Sequence, residues 1–148
     1  MTWPMKKYIL PILALMFTLS ACADDVVSIQ ADQLPAKSQK IIEKCFEGKM
    51  IESCKLEKRA SLTQYEVVFV NGDKLQFAKN GNCTEVKCKK HAVPDMLVPS
   101  RIREYMGNYY PEREIRSIEH DSKLYEVILD DKAELTFNSS FRLISLEK

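Results

Sequence analysis

The sequence has few of the residues on which several classes of protein depend. Among its 148 residues there are four glycines and two histidines, and 22 Lys and Arg are balanced by 21 Asp and Glu. So few glycines exclude collagen-like chains and leave little material for loops that cradle phosphate. A net charge near zero also removes the basic surface typical of nucleic-acid-binding proteins, so no nucleic-acid partner is expected. Because 45% of the residues are hydrophobic, the chain can still bury a core.

Motifs for catalysis and for cofactor binding are absent as well. The sequence contains no Gly-x-Ser-x-Gly elbow, no Cys/His protease signature and no EF-hand loop. Cys83, Cys88 and His91 could supply three zinc ligands, but their spacing differs from the usual Cys-x2-Cys pairs. Export would also favour disulfides over thiolates. We therefore predict no enzyme, no cofactor and no metal, and retain a metal-responsive periplasmic protein as the alternative.

The first residues predict an export signal. Lys6 and Lys7 precede an apolar run over residues 8–17, which is followed by Leu19-Ser20-Ala21-Cys22. This is the order of a secretory signal peptide, and the run is shorter than the ~20 residues of a membrane-spanning helix. The end of the segment resembles the lipoprotein box of bacteria. Residues 1–21 are therefore interpreted as a lipoprotein signal peptide.

The lipoprotein resemblance implies a membrane-anchored protein. Cys22 would become the lipid-modified N-terminus, and its acyl chains would hold the protein on a membrane. The following Ala23 is similar to the sorting signal of outer-membrane lipoproteins. We expect a cell-envelope protein on the outer membrane, facing the periplasm or the cell surface, with residues 22–33 as a polar tether.

The rest of the chain aligns with itself. Leu34-Pro35 lies over Val98-Pro99 at an offset of 64, and Tyr65-Glu66-Val67 matches Tyr125-Glu126-Val127 at an offset of 60. Two stripes with the i, i+3, i+4, i+7 spacing of a helix face also coincide: Ser38, Ile41, Ile42, Cys45 and Phe46 with Ile102, Tyr105, Met106, Tyr109 and Tyr110. We predict a first unit over 34–90, a connector over 91–97 and a second unit over 98–148.

Each unit is predicted to contain one helix followed by four antiparallel strands. Asn71-Gly72 and Asn80-Gly81 are strong hairpin signals. Alternating apolar residues should face the helices, because a one-sided antiparallel sheet must bury its apolar face; they are Tyr65, Val67, Phe69, Leu75, Phe77, Tyr125, Val127, Leu129, Leu135 and Phe137. The predicted fold class is α+β, a tandem repeat of two helix-plus-four-strand units.

Four cysteines remain after Cys22, which allows three pairings. Cys45 lies on the inward helix stripe and Cys54 in the first predicted strand of its unit, so a Cys45–Cys54 disulfide is our first choice. Cys83 and Cys88 are five residues apart and should point to opposite faces of a regular strand. Those two could join only if the strand is interrupted.

The opposite face of the sheet is a candidate binding surface. Aliphatic residues stand there among charged and polar ones, and exposed apolar patches mark interaction sites, although isolated exposed aliphatics are also common. The predicted partner-binding residues are Val68, Val70, Gln76, Ile128 and Thr136. The expected partner is another envelope or secreted protein.

These motifs together resemble the PepSY-like, β-lactamase-inhibitor-like family of secreted bacterial proteins. Beyond the repeated pairs above, the resemblance rests on Phe77 followed by Asn80-Gly81, on residues 83–88, and on Tyr109-Tyr110-Pro111. It implies a helix-on-sheet fold similar to the β-lactamase inhibitory protein and a non-enzymatic binding module of the envelope, such as one that restrains a hydrolase. Cys83 departs from the pattern, which has a large aromatic residue there.

Overall fold

The computed structural model describes residues 25–148. The predicted signal peptide, the lipidation site Cys22 and the first tether residues lie outside the described residues and stay predictions. From residue 25 onward, no helix has the length and apolar character needed to cross a membrane.

Two α-helices, two short 3-10 helices and nine strands make up the described chain. The helices are α1 (Ala36–Cys45) and α2 (Ser100–Tyr109), with 3-10 turns at Ala31–Gln33 and Asp95–Leu97. The strands are β1 (Asp25–Ser28), β2 (Ile51–Arg59), β3 (Leu62–Phe69), β4 (Lys74–Ala78), β5 (Cys83–Lys87), β6 (Ile115–His120), β7 (Leu124–Leu129), β8 (Glu134–Asn138) and β9 (Leu143–Glu147).

The strands form one antiparallel sheet in which the spatial order follows the chain from β1 to β9. The two halves of the sheet join where β5 pairs with β6, with Val86 opposite Ile118. Each half therefore has one helix and four consecutive strands, and β1 adds a ninth strand at the edge of the first half. The predicted α+β class is confirmed.

The core lies between the helices and one face of the sheet. Seven apolar residues form a continuous row across β2 to β8, each paired with the next, and all are at least 94% buried: Cys54, Val67, Leu75, Val86, Ile118, Val127 and Leu135. Phe46, which follows α1, stacks on Phe69 at 5.0 Å between ring centroids, and Tyr105 of α2 meets Phe137 edge-on at 5.2 Å. The alternation in the sequence thus predicted the buried face correctly.

The hairpin turns of the two halves have the same backbone hydrogen bonds. Phe69 N–H donates to the Asp73 carbonyl at 2.8 Å, and Leu129 N–H donates to the Ala133 carbonyl at 3.0 Å. In the turn after β4, Gly81 has φ of 88°, and Phe141 in the turn after β8 has φ of 62°. A Cβ on Gly81 would lie 2.9 Å from Pro35 Cβ, so glycine is required there by both the positive φ and the close approach.

The tether prediction is wrong for residues 25–33. Asp25–Ser28 forms β1, which pairs with β2 in a regular register from Asp25↔Lys58 to Ser28↔Lys55, and Ile29 packs against the core. All four β1 side chains are exposed, so the strand is held by backbone pairing, which leaves no hydrophobic pattern in the sequence.

Cys83 and Cys88 face the same side of the sheet, because β5 is not the regular strand for which opposite faces were expected. A β-bulge shifts the register between Gln76↔Glu85 and Phe77↔Cys83, leaving Thr84 without a partner in β4. The extra residue turns Cys83 to the same side as Phe77, and both cysteines contact the hydrophobic core. The bulge changes the side-chain parity along β5.

Candidate functional site

The sheet face turned away from the helices is the first candidate site, and we call it the outer face. Two adjacent rows define it along the strand pairing. The first contains Lys55, Glu66, Gln76, Glu85, Glu119, Glu126, Thr136 and Ser145. The second contains Ser53, Val68, Lys74, Lys87, Ser117, Ile128, Glu134 and Glu147.

Four of the five predicted partner-binding residues lie in these rows. Val68, Gln76, Ile128 and Thr136 are partly exposed there. The fifth, Val70, follows the end of β3 and is 62% exposed. The structure therefore places the set on or beside one surface, and their binding role stays a prediction.

Charge divides the outer face into two regions. In β2 to β5 the two rows carry three Lys and two Glu, and Lys74 bridges Glu66 at 3.4 Å and Glu85 at 3.8 Å. In β6 to β9 the same rows carry four Glu and no Lys or Arg: Glu119, Glu126, Glu134 and Glu147. The region over β6 to β9 is therefore acidic, and a partner that binds it must supply positive charge.

Three glutamates stand side by side where the halves join. Glu85 is paired directly with Glu119 and Glu119 with Glu126. Like charges directly opposite one another on a sheet are destabilising. Burial, together with the charges of Glu85 and Glu126, raises the pKa of Glu119. Lys74 and Lys87 pair with Glu85 and offset part of this repulsion, and a positively charged partner would relieve the rest.

A groove lies within the acidic region. It has a volume of about 180 Å³ and is lined by Glu126, Ile128, Glu134, Thr136 and Glu147, with backbone neighbours from β7 and β8. It offers an apolar side chain surrounded by carboxylates. The groove thus contains two of the predicted partner-binding residues.

The second candidate site is a buried polar cluster formed around Asp73. This side chain is 1% exposed and sits in the turn between β3 and β4. Its Oδ1 accepts from Lys89 N–H at 3.1 Å, and its Oδ2 accepts from Asn71 Nδ2 at 2.9 Å and from Lys49 Nζ at 3.1 Å. His91 Nε2 lies 2.5 Å from the same Oδ2. Burial alone would raise the pKa of Asp73, but the hydrogen bonds from these four groups outweigh it and lower the pKa to about 2.

Cys88 completes this cluster. It is 4% exposed and follows the end of β5. One donor atom each from Asp73, Cys88 and His91 lies within 4.8 Å of the others. Burial, reinforced by the Asp73 charge, raises the pKa of the Cys88 thiol to about 12.

Sequence reasoning identified part of this cluster and missed the rest. It singled out Cys88 and His91 as zinc ligands but grouped them with Cys83, which lies in another part of the core. Asp73 follows the Asn71-Gly72 hairpin signal, so a carboxylate there could have been noted. No local pattern connects Lys49 to Asp73, since 24 residues separate them.

All four cysteines of the described chain are thiols in this structure. Burial raises the pKa of Cys83 to about 12, and the nearby Cys45 contributes to that increase. The Cys45–Cys54 disulfide stays a prediction.

The arrangement of helices, sheet and open face defines a class of α+β protein with one helical layer on one antiparallel sheet. The family described as "Putative beta-lactamase-inhibitor-like, PepSY-like" matches residues 63–145. The chain belongs to this family, and the resemblance seen in the sequence is confirmed.

Solved structures of bacterial proteins are similar over most of the chain. A putative periplasmic protein of the DUF2874 family from Bacteroides vulgatus is 38% identical with a TM-score of 0.81, covering 84% of this chain and 98% of its own. A putative calcium-regulated periplasmic protein from Bacteroides thetaiotaomicron is 37% identical with a TM-score of 0.79, covering 84% and 98%. A putative periplasmic protein of unknown function from Bacteroides vulgatus is 28% identical with a TM-score of 0.76, covering 84% and 99%. No curated protein matches the chain, and no catalytic family is indicated.

Proposed function

We propose that this protein is a non-enzymatic lipoprotein of the cell envelope that binds another envelope protein, such as a hydrolase that it restrains, through the outer face. The observation that carries the proposal is the outer face itself. In residues 25–148 both helices pack on the opposite side of the sheet, which leaves partly exposed aliphatic residues beside an acidic groove. The inhibitor-like family and the periplasmic relatives support an envelope binding role.

The charge of the outer face specifies the kind of partner. Four glutamates surround Ile128 and Thr136 without a balancing Lys or Arg in the rows of β6 to β9. A partner with a basic surface and an apolar residue at its centre would complement this region. Charged rims mainly accelerate association and select partners, while a buried apolar anchor supplies most of the affinity.

Lipid anchoring at Cys22 would orient this surface. β1 begins at Asp25, three residues after the lipidated cysteine. Three residues span at most about 11 Å in total, so the first strand would lie close to the lipid anchor. Strands are spaced about 4.8 Å apart, so β9 lies on the order of 38 Å from β1. The mixed-charge region would thus lie near the membrane and the acidic region away from it, accessible to soluble or membrane-bound partners on the outer membrane.

The two halves are proposed to be copies of one helix-plus-four-strand unit. The paired turn hydrogen bonds, the matched positive φ values and the matched buried row support this proposal. Duplication would supply two similar scaffolds on one sheet, and divergence of the outer face would then give each half a different surface.

Substitutions that place a charge at aliphatic positions of the outer face test the proposal. In-cell crosslinking followed by mass spectrometry would compare the unaltered chain with Ile128→Lys and Val68→Lys. We expect Ile128→Lys to weaken capture of a dominant partner by about tenfold or more, since it removes the apolar anchor. Met96→Lys is the matched control, because Met96 is 68% exposed and lies in the connector away from the outer face. Equal loss with Met96→Lys, or no loss with either outer-face variant, would contradict the proposal.

The alternative function is a metal-responsive periplasmic protein. The buried cluster of Asp73, Cys88 and His91 favours it, and one relative is named as calcium-regulated. The cluster does not fit calcium, which takes six to eight oxygen ligands. Equilibrium dialysis against divalent cations, with and without partner, tests whether metal binding changes the protein's interactions.

A further inference from the structure

Three metal-ligand types converge on one point from three separate segments. Asp73 comes from the turn after β3, Cys88 from the end of β5 and His91 from the connector. Their ligand atoms lie within 4.8 Å of one another, and Asp73 and Cys88 are almost completely buried. Carboxylate, thiolate and imidazole together are the ligands of zinc-class metals.

The ligand atoms are already oriented by neighbouring groups. Lys89 N–H and Asn71 Nδ2 fix the Asp73 carboxylate from outside the cluster. His91 Nδ1 lies 2.9 Å from the Ala92 carbonyl, which can only accept a hydrogen bond, so Nδ1 carries the hydrogen. Nε2, which lies 2.5 Å from Asp73 Oδ2, is then the nitrogen left to bind a metal once it has lost its own hydrogen. A backbone carbonyl on the second ring nitrogen is the usual arrangement of a metal-bound histidine.

A positive charge already lies beside two of these ligands. His91 Nε2 and Asp73 Oδ2 are 2.5 Å apart. Lys49 Nζ contacts both atoms, at 2.7 Å from Nε2 and 3.1 Å from Oδ2. The Lys49 side chain is 30% exposed, so it has a path to solvent by rotation of its flexible stem.

We propose that Asp73, Cys88 and His91 bind one divalent zinc-class metal ion, and that Lys49 occupies the site as a competing cation when no metal is bound. Binding displaces the Lys49 ammonium, and the hydrogens on Cys88 Sγ and His91 Nε2 leave to solvent as the sulfur–metal and nitrogen–metal bonds form. Three protein ligands leave a fourth position for water or for a donor from a partner. This proposal names the metal class and ligands for the alternative function above and does not depend on the outer face.

Cobalt titration of the full chain in detergent tests the site, because Co²⁺ replaces zinc and gives a thiolate charge-transfer absorption. We expect one Co²⁺ per chain with this absorption, displaced by Zn²⁺ and not by Ca²⁺. Cys88→Ser should abolish the absorption, while Cys83→Ser, a second thiol of the same strand region, should leave it unchanged. Lys49→Met should tighten binding, because it removes the competing cation.

His91→Gln keeps the test independent of folding, because this side chain is 38% exposed on the connector. It should weaken Co²⁺ binding by about a hundredfold or more, given that loss of an outer partner alone costs 10–100-fold, with an unchanged circular dichroism spectrum. Absence of a thiolate absorption, or an absorption that survives Cys88→Ser, would overturn the site. If the metal binds at these residues but changes no interaction of the protein, the site stands and the metal-responsive function fails.

Discussion

The two halves of the sheet share a scaffold and differ in where they place polar groups. Phe77 and Phe137 are fully buried at matched positions, yet Asp73 of the first half corresponds to Ala133 in the second. The first half thus has a buried charged cluster and a mixed outer face, while the second has a buried alanine at the matching turn position and an acidic outer face. The buried core is thus similar in the two halves, whereas the polar groups differ in kind and in position.

The largest expected effect comes from the shared core. Phe77→Ala and Phe137→Ala should each lower the free energy of unfolding by about 3–5 kcal/mol, because each removes a fully buried ring. One row of core residues crosses both halves. Chemical denaturation followed by circular dichroism and by hydrogen exchange should therefore show a single unfolding transition. Two separate transitions in either variant would mean that the halves unfold independently.

The buried cluster should contribute the next largest effect. Asp73→Ala gives the first half the residue found in the second, and should cost about 2–3 kcal/mol because it removes the acceptor of several part-buried donors, Lys89 N–H among them. Urea denaturation measures the change, with the exposed Asp95→Ala as control, expected within about 0.5 kcal/mol of the unaltered chain. An Asp73→Ala variant as stable as this control would show that the cluster does not stabilise the first half.

The turn after β4 sharpens the same comparison. Gly81→Ala should destabilise by about 2 kcal/mol, because φ is 88° and the new Cβ would lie 2.9 Å from Pro35 Cβ. Phe141→Gly at the matched turn should change stability by less than about 1 kcal/mol, since relief of its positive φ offsets the loss of the ring contact with Tyr125 at 5.1 Å. Thermal unfolding of both variants measures the difference, and equal costs would contradict the explanation.

The smallest expected effect concerns the row of glutamates. The raised pKa of Glu119 means that its ionised form is less favourable in the folded state, so stability is lost as pH rises from its ordinary value of 4.5 through the raised value. Glu119→Gln should therefore raise the free energy of unfolding at pH 7 by no more than about 0.5 kcal/mol. Thermal unfolding would show this as a slightly higher melting temperature than that of the unaltered chain. The gain should vanish below pH 4.5. An equal gain from Glu104→Gln, an exposed residue of α2 outside the sheet, would rule out the proposed repulsion.

The sequence predicted the features that rest on periodicity. The helix stripes, the buried strand face and the turns at Gly72 and Gly81 follow from local residue patterns. β1 was missed because its exposed side chains carry no such pattern, and the bulge at Thr84 reversed the expected direction of Cys83. These two features depend on backbone pairing with another strand, which a local pattern does not encode.

The candidate sites were predicted only in part, for a related reason. The outer face follows from strand alternation, so Val68, Gln76, Ile128 and Thr136 could be assigned to it. The separation of the face into mixed and acidic regions depends on the register of all the strands. The Asp73 cluster joins residues from three segments, and only the folded chain brings Lys49 and His91 to the same carboxylate.

Site-specific photo-crosslinking in the cells that make the protein tests directly whether the outer face binds a partner. A photoreactive residue would replace Thr136 in the acidic groove, Gln76 in the mixed region or Glu104 on the exposed side of α2. We expect one dominant crosslinked protein with a basic surface from Thr136, less from Gln76 and none from Glu104, with capture decreasing as salt is added. The same product from Glu104 as from Thr136, or no specific product from the outer face, would contradict it.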